Sequence, residues 1–214
     1  MRAAAHCADP PDALPRDLGR AFPRLAAYLG GLPHGLASYP GCQMRGTPVA
    51  RYVDDPSVRA AAAGAPGVVL SILTPPHAMW VPEVRCAAAI LAVGDALRLS
   101  DRALADRMVE HNRALFRNVV YRALMAFLSP AALLARAPSR WDAFHRGTAL
   151  EVVELADRTA LGRLTFPPGL ISGALVPSYG AALQAALEHC RAEGATLAAE
   201  TVTPTSVTYR ARWS

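Results

Sequence analysis

The residues able to do chemistry are few and dispersed. His111 follows Glu110 in a helical stretch, and an imidazole titrating near neutrality can serve there as a ligand or an acid–base group. A histidine on the surface or at a kink of the same helix is the plainer account. Asp54 and Asp55 supply the paired carboxylates that a divalent ion wants, but Pro56 follows directly, and Asp ahead of Pro is the signature of a helix cap. Glu151 and Glu154 lie three apart on a strand. At that spacing they are expected to face opposite sides, which rules out a paired general acid and base. Cys7, Cys42, Cys86 and Cys190 contain no CxxC pair. His189 and Cys190 are neighbours on a helix and so point in different directions. Neither a zinc framework nor a disulfide scaffold has this spacing, and free thiols are expected. No nucleophile elbow, phosphate-cradling loop or HExxH sequence occurs. No catalytic and no metal-ligating residue is assigned.

Any site must therefore be built by the elements themselves. Residues 1–15, with Pro10, Pro11 and Pro15, form a loose lead-in. Arg16 to Leu29 repeats apolar residues at helical spacing, with Pro23 splitting it into two short pieces. Gly30 to Thr47 is expected to be a long loop. Asp55 and Pro56 start a helix that Gly64 ends. Gly67–Leu73 is β-prone and fits a buried strand or an extended core segment. A helix begins after Trp80-Val81, with Pro82 in its first turn and Glu83 near its positive end. Ser100 caps the next helix, which loosens around His111-Asn112. Apolar residues are densest from Leu115 to Leu128, where the most buried helix is expected. Ser129-Pro130 opens another short helix, and Gly147 closes the helical part.

From Thr148 the spacing changes to that of strands. Ala149–Leu155 and Ala160–Phe166 flank a turn at Asp157-Arg158-Thr159. An amphipathic helix over Ser178–Ala192 follows, and then Ala195–Val202 and Ser206–Trp213 form a hairpin around Pro204. In the last run Val207, Tyr209, Ala211 and Trp213 alternate with Thr208, Arg210 and Arg212, the period-2 mark of a half-buried strand. The expected fold is α+β: one domain over 16–214, with a helical layer (16–147) on a four-stranded antiparallel sheet of ββαββ order (148–214).

The 214 residues are 52% hydrophobic, enough to bury a core, and carry a net charge of +5. Every basic residue is arginine, and Ala and Pro are abundant, which is the usage of a GC-rich genome. The arginines are spread along the whole chain, whereas nucleic-acid binding wants them clustered with aromatics, so no specific nucleic-acid partner is expected. The N-terminus lacks the apolar core of a signal peptide, and no stretch approaches the roughly 18 apolar residues of a membrane span. A cytoplasmic protein is expected.

The order of many helices followed by ββαββ, with a terminal aromatic, resembles the ligand-binding superfamily of heme-NO-binding, 4-vinyl-reductase and TRAPP domains. Leu164-Thr-Phe-Pro-Pro-Gly-Leu170 leading into Tyr179-Gly-Ala-Ala-Leu is part of that likeness. The stretch Leu99 to Gly147 and Trp80-Val-Pro-Glu83 are similar to a family of roughly 200-residue proteins of unknown function with many myxobacterial paralogues. The resemblance spans residues 80–214. Heme-binding members grip the propionates with Tyr, Ser and Arg in the strand-to-helix segment and use a helical proximal histidine. Here that segment is Phe166-Pro167-Pro168-Gly169. His111 lies too far upstream, and His145, between Phe144 and Arg146, has no evident partner. No cofactor is therefore expected, and heme binding is the disfavoured reading.

Two function classes remain, with an enzyme the least supported third. The resemblance implies a non-enzymatic small-molecule-binding or sensor-type module with an apolar pocket between helices and sheet. Its expected lining is Phe116, Val120, Tyr121, Leu124 and Phe127. Trp80, Trp141 and Trp213 are either further lining or plain core. The alternative is a dimeric protein–protein interaction module without a ligand, marked by an exposed apolar helix face or an exposed final strand.

Overall fold

The computed structural model describes residues 18–76, 78–117, 129–190 and 192–214. Their fold is α+β, with two antiparallel sheets and ten α-helices among the described residues. The chain opens with α1 (Leu18–Ala21) and α2 (Pro23–Gly30), parted at Pro23 as the proline requires. The expected long loop instead holds a 3₁₀ turn (Gly35–Ala37) and β1 (Gln43–Arg45). Helices α3 (Gly46–Val53) and α4 (Pro56–Ala61) follow. The Asp55 carboxylate caps α4, accepting from the Ser57 amide at 2.7 Å.

Gly67–Leu73 is α5, not a strand. Val69, Ile72 and Leu73 are buried at the three-and-four spacing of a helix, and packing on that face overrides β propensity. Strand β2 (Trp80–Pro82) runs straight into α6 (Glu83–Ala96). Twelve of the fourteen α6 residues are buried, and α2, α3, α4 and α5 pack on it. Helix α7 (Asp101–Phe116) is capped by Ser100 and continues unbroken through His111-Asn112. His111 is fixed from outside the helix, its Nε2 lying 3.0 Å from the Pro48 carbonyl. Helix α8 (Pro130–Ala135) has the Ser129 cap, and α9 (Ala137–Phe144) leads into β3 (His145–Arg146).

The small sheet has the order β2-β1-β3. The larger one is built from β4 (Ala149–Ala156), β5 (Thr159–Thr165), β6 (Thr196–Thr203) and β7 (Ser206–Arg212), in the order β4-β5-β7-β6. Helix α10 (Leu175–His189) links β5 to β6. The final strand thus lies inside the sheet, and the edges are β4 and β6. Val207, Tyr209, Ala211 and Trp213 are buried, as the alternation requires.

A bulge between Val152 and Glu154 corrects the facing of the two glutamates. Glu151 pairs with Arg163 and Glu154 with Leu161, so the extra residue puts both carboxylates on one outer face. Glu154 there meets Arg210 at 3.8 Å, and Glu200 meets the same guanidinium at 2.5 Å.

Candidate ligand-binding site

An α-helix that is apolar on every side is buried, and so are the charges in its end turns. Helix α6 has such a carboxylate at each end, and the two are treated differently. Asp95 sits at the C-terminal end, where the helix dipole disfavours an anion. Both of its oxygens are satisfied: Oδ2 accepts from the Leu25 amide at 3.0 Å and Oδ1 from Arg24 at 3.1 Å. Burial pushes its carboxyl up, against those contacts. Asp95 is a clamp between α2 and α6.

Glu83, at the favourable N-terminal end, is fully buried and only half satisfied. Its Oε1 accepts from the Tyr179 hydroxyl at 3.0 Å and lies 3.0 Å from Nδ1 of His145. Its Oε2 has no hydrogen-bond partner among the described residues. The His145 ring is stacked flat on Trp141, with centroids 3.7 Å apart and planes at 6°. The Trp141 indole N–H donates to Thr148 at 3.0 Å. Burial, and then the Glu83 charge, raise the Tyr179 hydroxyl well above its ordinary value, so it stays a donor. The same two causes raise Tyr28, Cys42 and Cys86.

Tyr179 belongs to α10, and its neighbour Gly180 on that helix borders an open groove. The groove, of about 720 Å³, runs between α7 and α10 on one side and β6 on the other. Its apolar floor includes Val109, Val176, Gly180, Leu197 and Tyr209, and Arg102, Asp106, Glu110 and Arg113 stand along α7. That volume is in the range of small-molecule pockets. At one end the Arg113 guanidinium grips the Glu188 carboxylate in a fork, at 2.6 and 2.9 Å, and also bonds Glu110. These carboxylates, Glu188 first, hold the Arg113 pKa above its usual value. By contrast, the space enclosed beneath the sheet, lined by Leu150, Ala160, Leu183 and Ala211, is about 20 Å³, room for a single water.

Gly180 lets α10 approach the sheet. A Cβ there would stand 2.9 Å from Leu197 and 3.0 Å from the Tyr209 ring. The Tyr209 hydroxyl donates to the Val176 carbonyl at 2.6 Å, pinning the same turn of α10.

Of the expected lining residues, Phe116 ends α7, half-buried, with its ring 6.1 Å from His189. Val120, Tyr121, Leu124 and Phe127 lie outside the described residues. Trp141 and Trp213 are core, while Trp80 is on the small sheet's outer face under two guanidiniums. Sequence reasoning missed Glu83, His145 and Tyr179 as a group. The available signal was a charge in the first turn of a helix with no polar face.

The family described as "Protein of unknown function (DUF2378)" matches residues 73–214. The chain belongs to that family. Comparison with curated proteins gives no match. Among solved structures, an Fe(II) unliganded H-NOX protein from K. algicida is similar with a TM-score of 0.55 and 12% identity, over 80% of this chain and 97% of that one. An oxygen-binding H-NOX domain related to soluble guanylate cyclases, solved as its oxygen complex, has a TM-score of 0.52 and 9% identity, over 79% and 95%. A structure described for heme redox potential and porphyrin distortion has a TM-score of 0.52 and 9% identity, over 79% and 100%. At such identity the likeness is one of fold, and this DUF2378 protein has the H-NOX fold.

The expectation of no cofactor, with heme disfavoured, is corrected by these matches. It rested on Phe166–Gly169 standing where a polar propionate grip would be. The fold is nonetheless that of structures described with iron or heme, so a missing grip is no ground for a cofactor-free chain. The segment instead braces the sheet. The Phe166 and Gly169 amides donate to the β6–β7 turn at 2.9 and 3.1 Å, and Tyr39 donates to the Pro168 carbonyl at 2.6 Å.

The lining of the groove by itself does not fit an iron-coordinating group. It contains neither His nor Cys among the described residues, and its Tyr209 hydroxyl is engaged. Outside the groove, His145 and His189 are candidate imidazoles for such a group. His145 has Nδ1 held by Glu83, the arrangement that leaves Nε2 for a metal. The Nε2 of His189 is buried with no hydrogen-bond partner among the described residues.

Proposed function

We propose that this DUF2378 protein is a sensor-type, non-enzymatic module that binds a small, largely apolar molecule in the groove between α7, α10 and β6. The groove of about 720 Å³, with its apolar floor and charged rim, carries this reading. The H-NOX fold supports it, since the matched oxygen-binding domain was solved as an oxygen complex. Helix α10 joins the groove to the buried Glu83–His145 pair: Gly180 faces the groove, and Tyr179, its neighbour, bonds Glu83.

The test is native mass spectrometry of protein purified from its own host, compared with the denatured mass. A retained mass that Gly180→Leu abolishes supports the groove, because the added side chain starts 2.9 Å from Leu197. A native mass equal to that of the chain alone, or to a dimer without ligand, overturns it. Heme is tested as an occupant by adding hemin. A Soret band removed by His145→Ala or His189→Ala would move the site to that imidazole and away from the groove.

A further inference from the structure

The small sheet has two chemically different faces, set by strand alternation. In the register, Met44 is opposite Val81 and His145, while Arg45 is opposite Trp80 and Gln43 is opposite Arg146. Val81 is buried on the first face, and His145 there reaches Glu83. The second face bears Arg45, Trp80 and Arg146. Both guanidiniums rest on the one indole, that of Arg45 4.6 Å from the ring centroid and that of Arg146 3.8 Å.

Two like charges held on one ring repel each other, and the ring quadrupole offsets that only in part. Arg24, Arg59, Arg107, Arg113 and Arg210 each meet a carboxylate, and none of these is stacked with a second guanidinium on one ring among the described contacts. Arg45 and Arg146 have no ion-pair partner among the described residues. Arg45 spends only its Nε–H, on the Ala143 carbonyl at 3.2 Å. Stacking therefore fixes two guanidiniums in place while leaving donors on both free, which is a preorganised receptor for carboxylates.

We infer that the Arg45–Trp80–Arg146 face is a docking surface for an acidic segment of a partner protein. Two guanidiniums held side by side on one indole suit a short run of carboxylates. A nucleic acid would want a longer basic stripe.

The test is titration of the full chain with deca-glutamate at low salt, followed by tryptophan emission. Trp141 and Trp213 are buried, so Trp80 is the responsive indole. The expected result is a saturable change that is absent in Trp80→Phe. The Arg45→Gln/Arg146→Gln double variant, with an unchanged circular dichroism spectrum, should bind about tenfold more weakly, the loss of one charge-assisted contact. Arg212→Gln, an exposed arginine on the other sheet, should bind as the parent does. Equal binding by the double variant, or equal weakening by Arg212→Gln, overturns the assignment. So does tighter binding of a DNA duplex or of phosphatidylserine vesicles at matched charge, which would give the face to phosphate instead.

Discussion

Removing the Tyr179 hydroxyl should have opposite consequences depending on what stands at position 83. In the parent chain, Tyr179→Phe deprives the Glu83 carboxylate of a 3.0 Å donor, and its Oε2 already has none. A hydrogen bond to a charged group is worth about 1.5–3 kcal/mol. For a chain of this size, each kcal/mol corresponds to roughly 2–4 °C in Tm, so a loss of roughly 3–12 °C is expected. In a Glu83→Leu background the same hydroxyl is buried with no acceptor, a cost of about 1–3 kcal/mol. Deleting it there relieves that cost, and the double variant should be more stable than Glu83→Leu alone. The buried charge has gone too, so the double variant need not be far below the parent. Urea unfolding of the four proteins by far-ultraviolet circular dichroism gives the cycle, with an expected coupling of about 2.5–6 kcal/mol, the two opposite effects taken together. If Tyr179→Phe costs the same in both backgrounds, the Tyr179–Glu83 bond does not hold the cluster together.

Gly147 has φ +75°, and a Cβ on it would lie 2.7 Å from the Gly41 carbonyl and 2.9 Å from the Cys42 sulfur. Gly147→Ala should therefore cost about 2 kcal/mol or more in urea unfolding, whereas Gly173→Ala (φ +52°, with open space) should cost only about 1 kcal/mol. The Ser57 hydroxyl and amide hold the Asp55 carboxyl at about 2. Its stabilisation is complete above the unfolded value near 3.9 and is lost as pH falls toward 2, worth about 1 kcal/mol after solvent screening. Asp55→Asn should flatten that acid limb in a pH series of Tm. Burial lowers the His111 pKa, so a histidine-selective NMR titration should find its midpoint below 6.5. The folded state favours the neutral ring, so this contribution is present above about pH 6.5 and erodes as pH falls through the folded value. His111→Phe should remove that slope.

The parts legible in sequence are those whose cause is local. Asp55, Ser100 and Ser129 cap the helices that their types announce, and the alternation from Ser206 onward gives the final strand and its buried side. The sheet and α10 follow from period and turn residues. The Glu83 cluster has no local cause: Tyr179 and His145 are 96 and 62 residues away in sequence. The strands that bring it together, β1, β2 and β3, have three, three and two residues, too short for any period to show. Gly67–Leu73 misleads because its β-branched residues argue for a strand, while the deciding feature is the helical spacing of Val69, Ile72 and Leu73. The bulge near Val153 is a one-residue event that reverses which side every later residue faces.

The groove and the Glu83 cluster share α10, through Gly180 and its neighbour Tyr179. Toward the sheet, Gly180 is already within contact of Leu197 and Tyr209; toward α7, the Arg113–Glu188 fork fixes the far end. If an occupant of the proposed site shifts Gly180, Tyr179, the next residue on the same helix, shifts with it. Glu83 cannot follow freely, because α6 is buried over most of its length. The displacement must then be taken up in the Tyr179–Glu83–His145 bonds and in the indole stacked on His145. Trp141 emission should therefore report occupancy although Trp141 does not line the groove. In Tyr179→Phe the ligand should still be retained while the emission change falls by more than half. An undiminished change in that variant would show that the two sites communicate by another route. A lost ligand would place Tyr179 in the binding site itself.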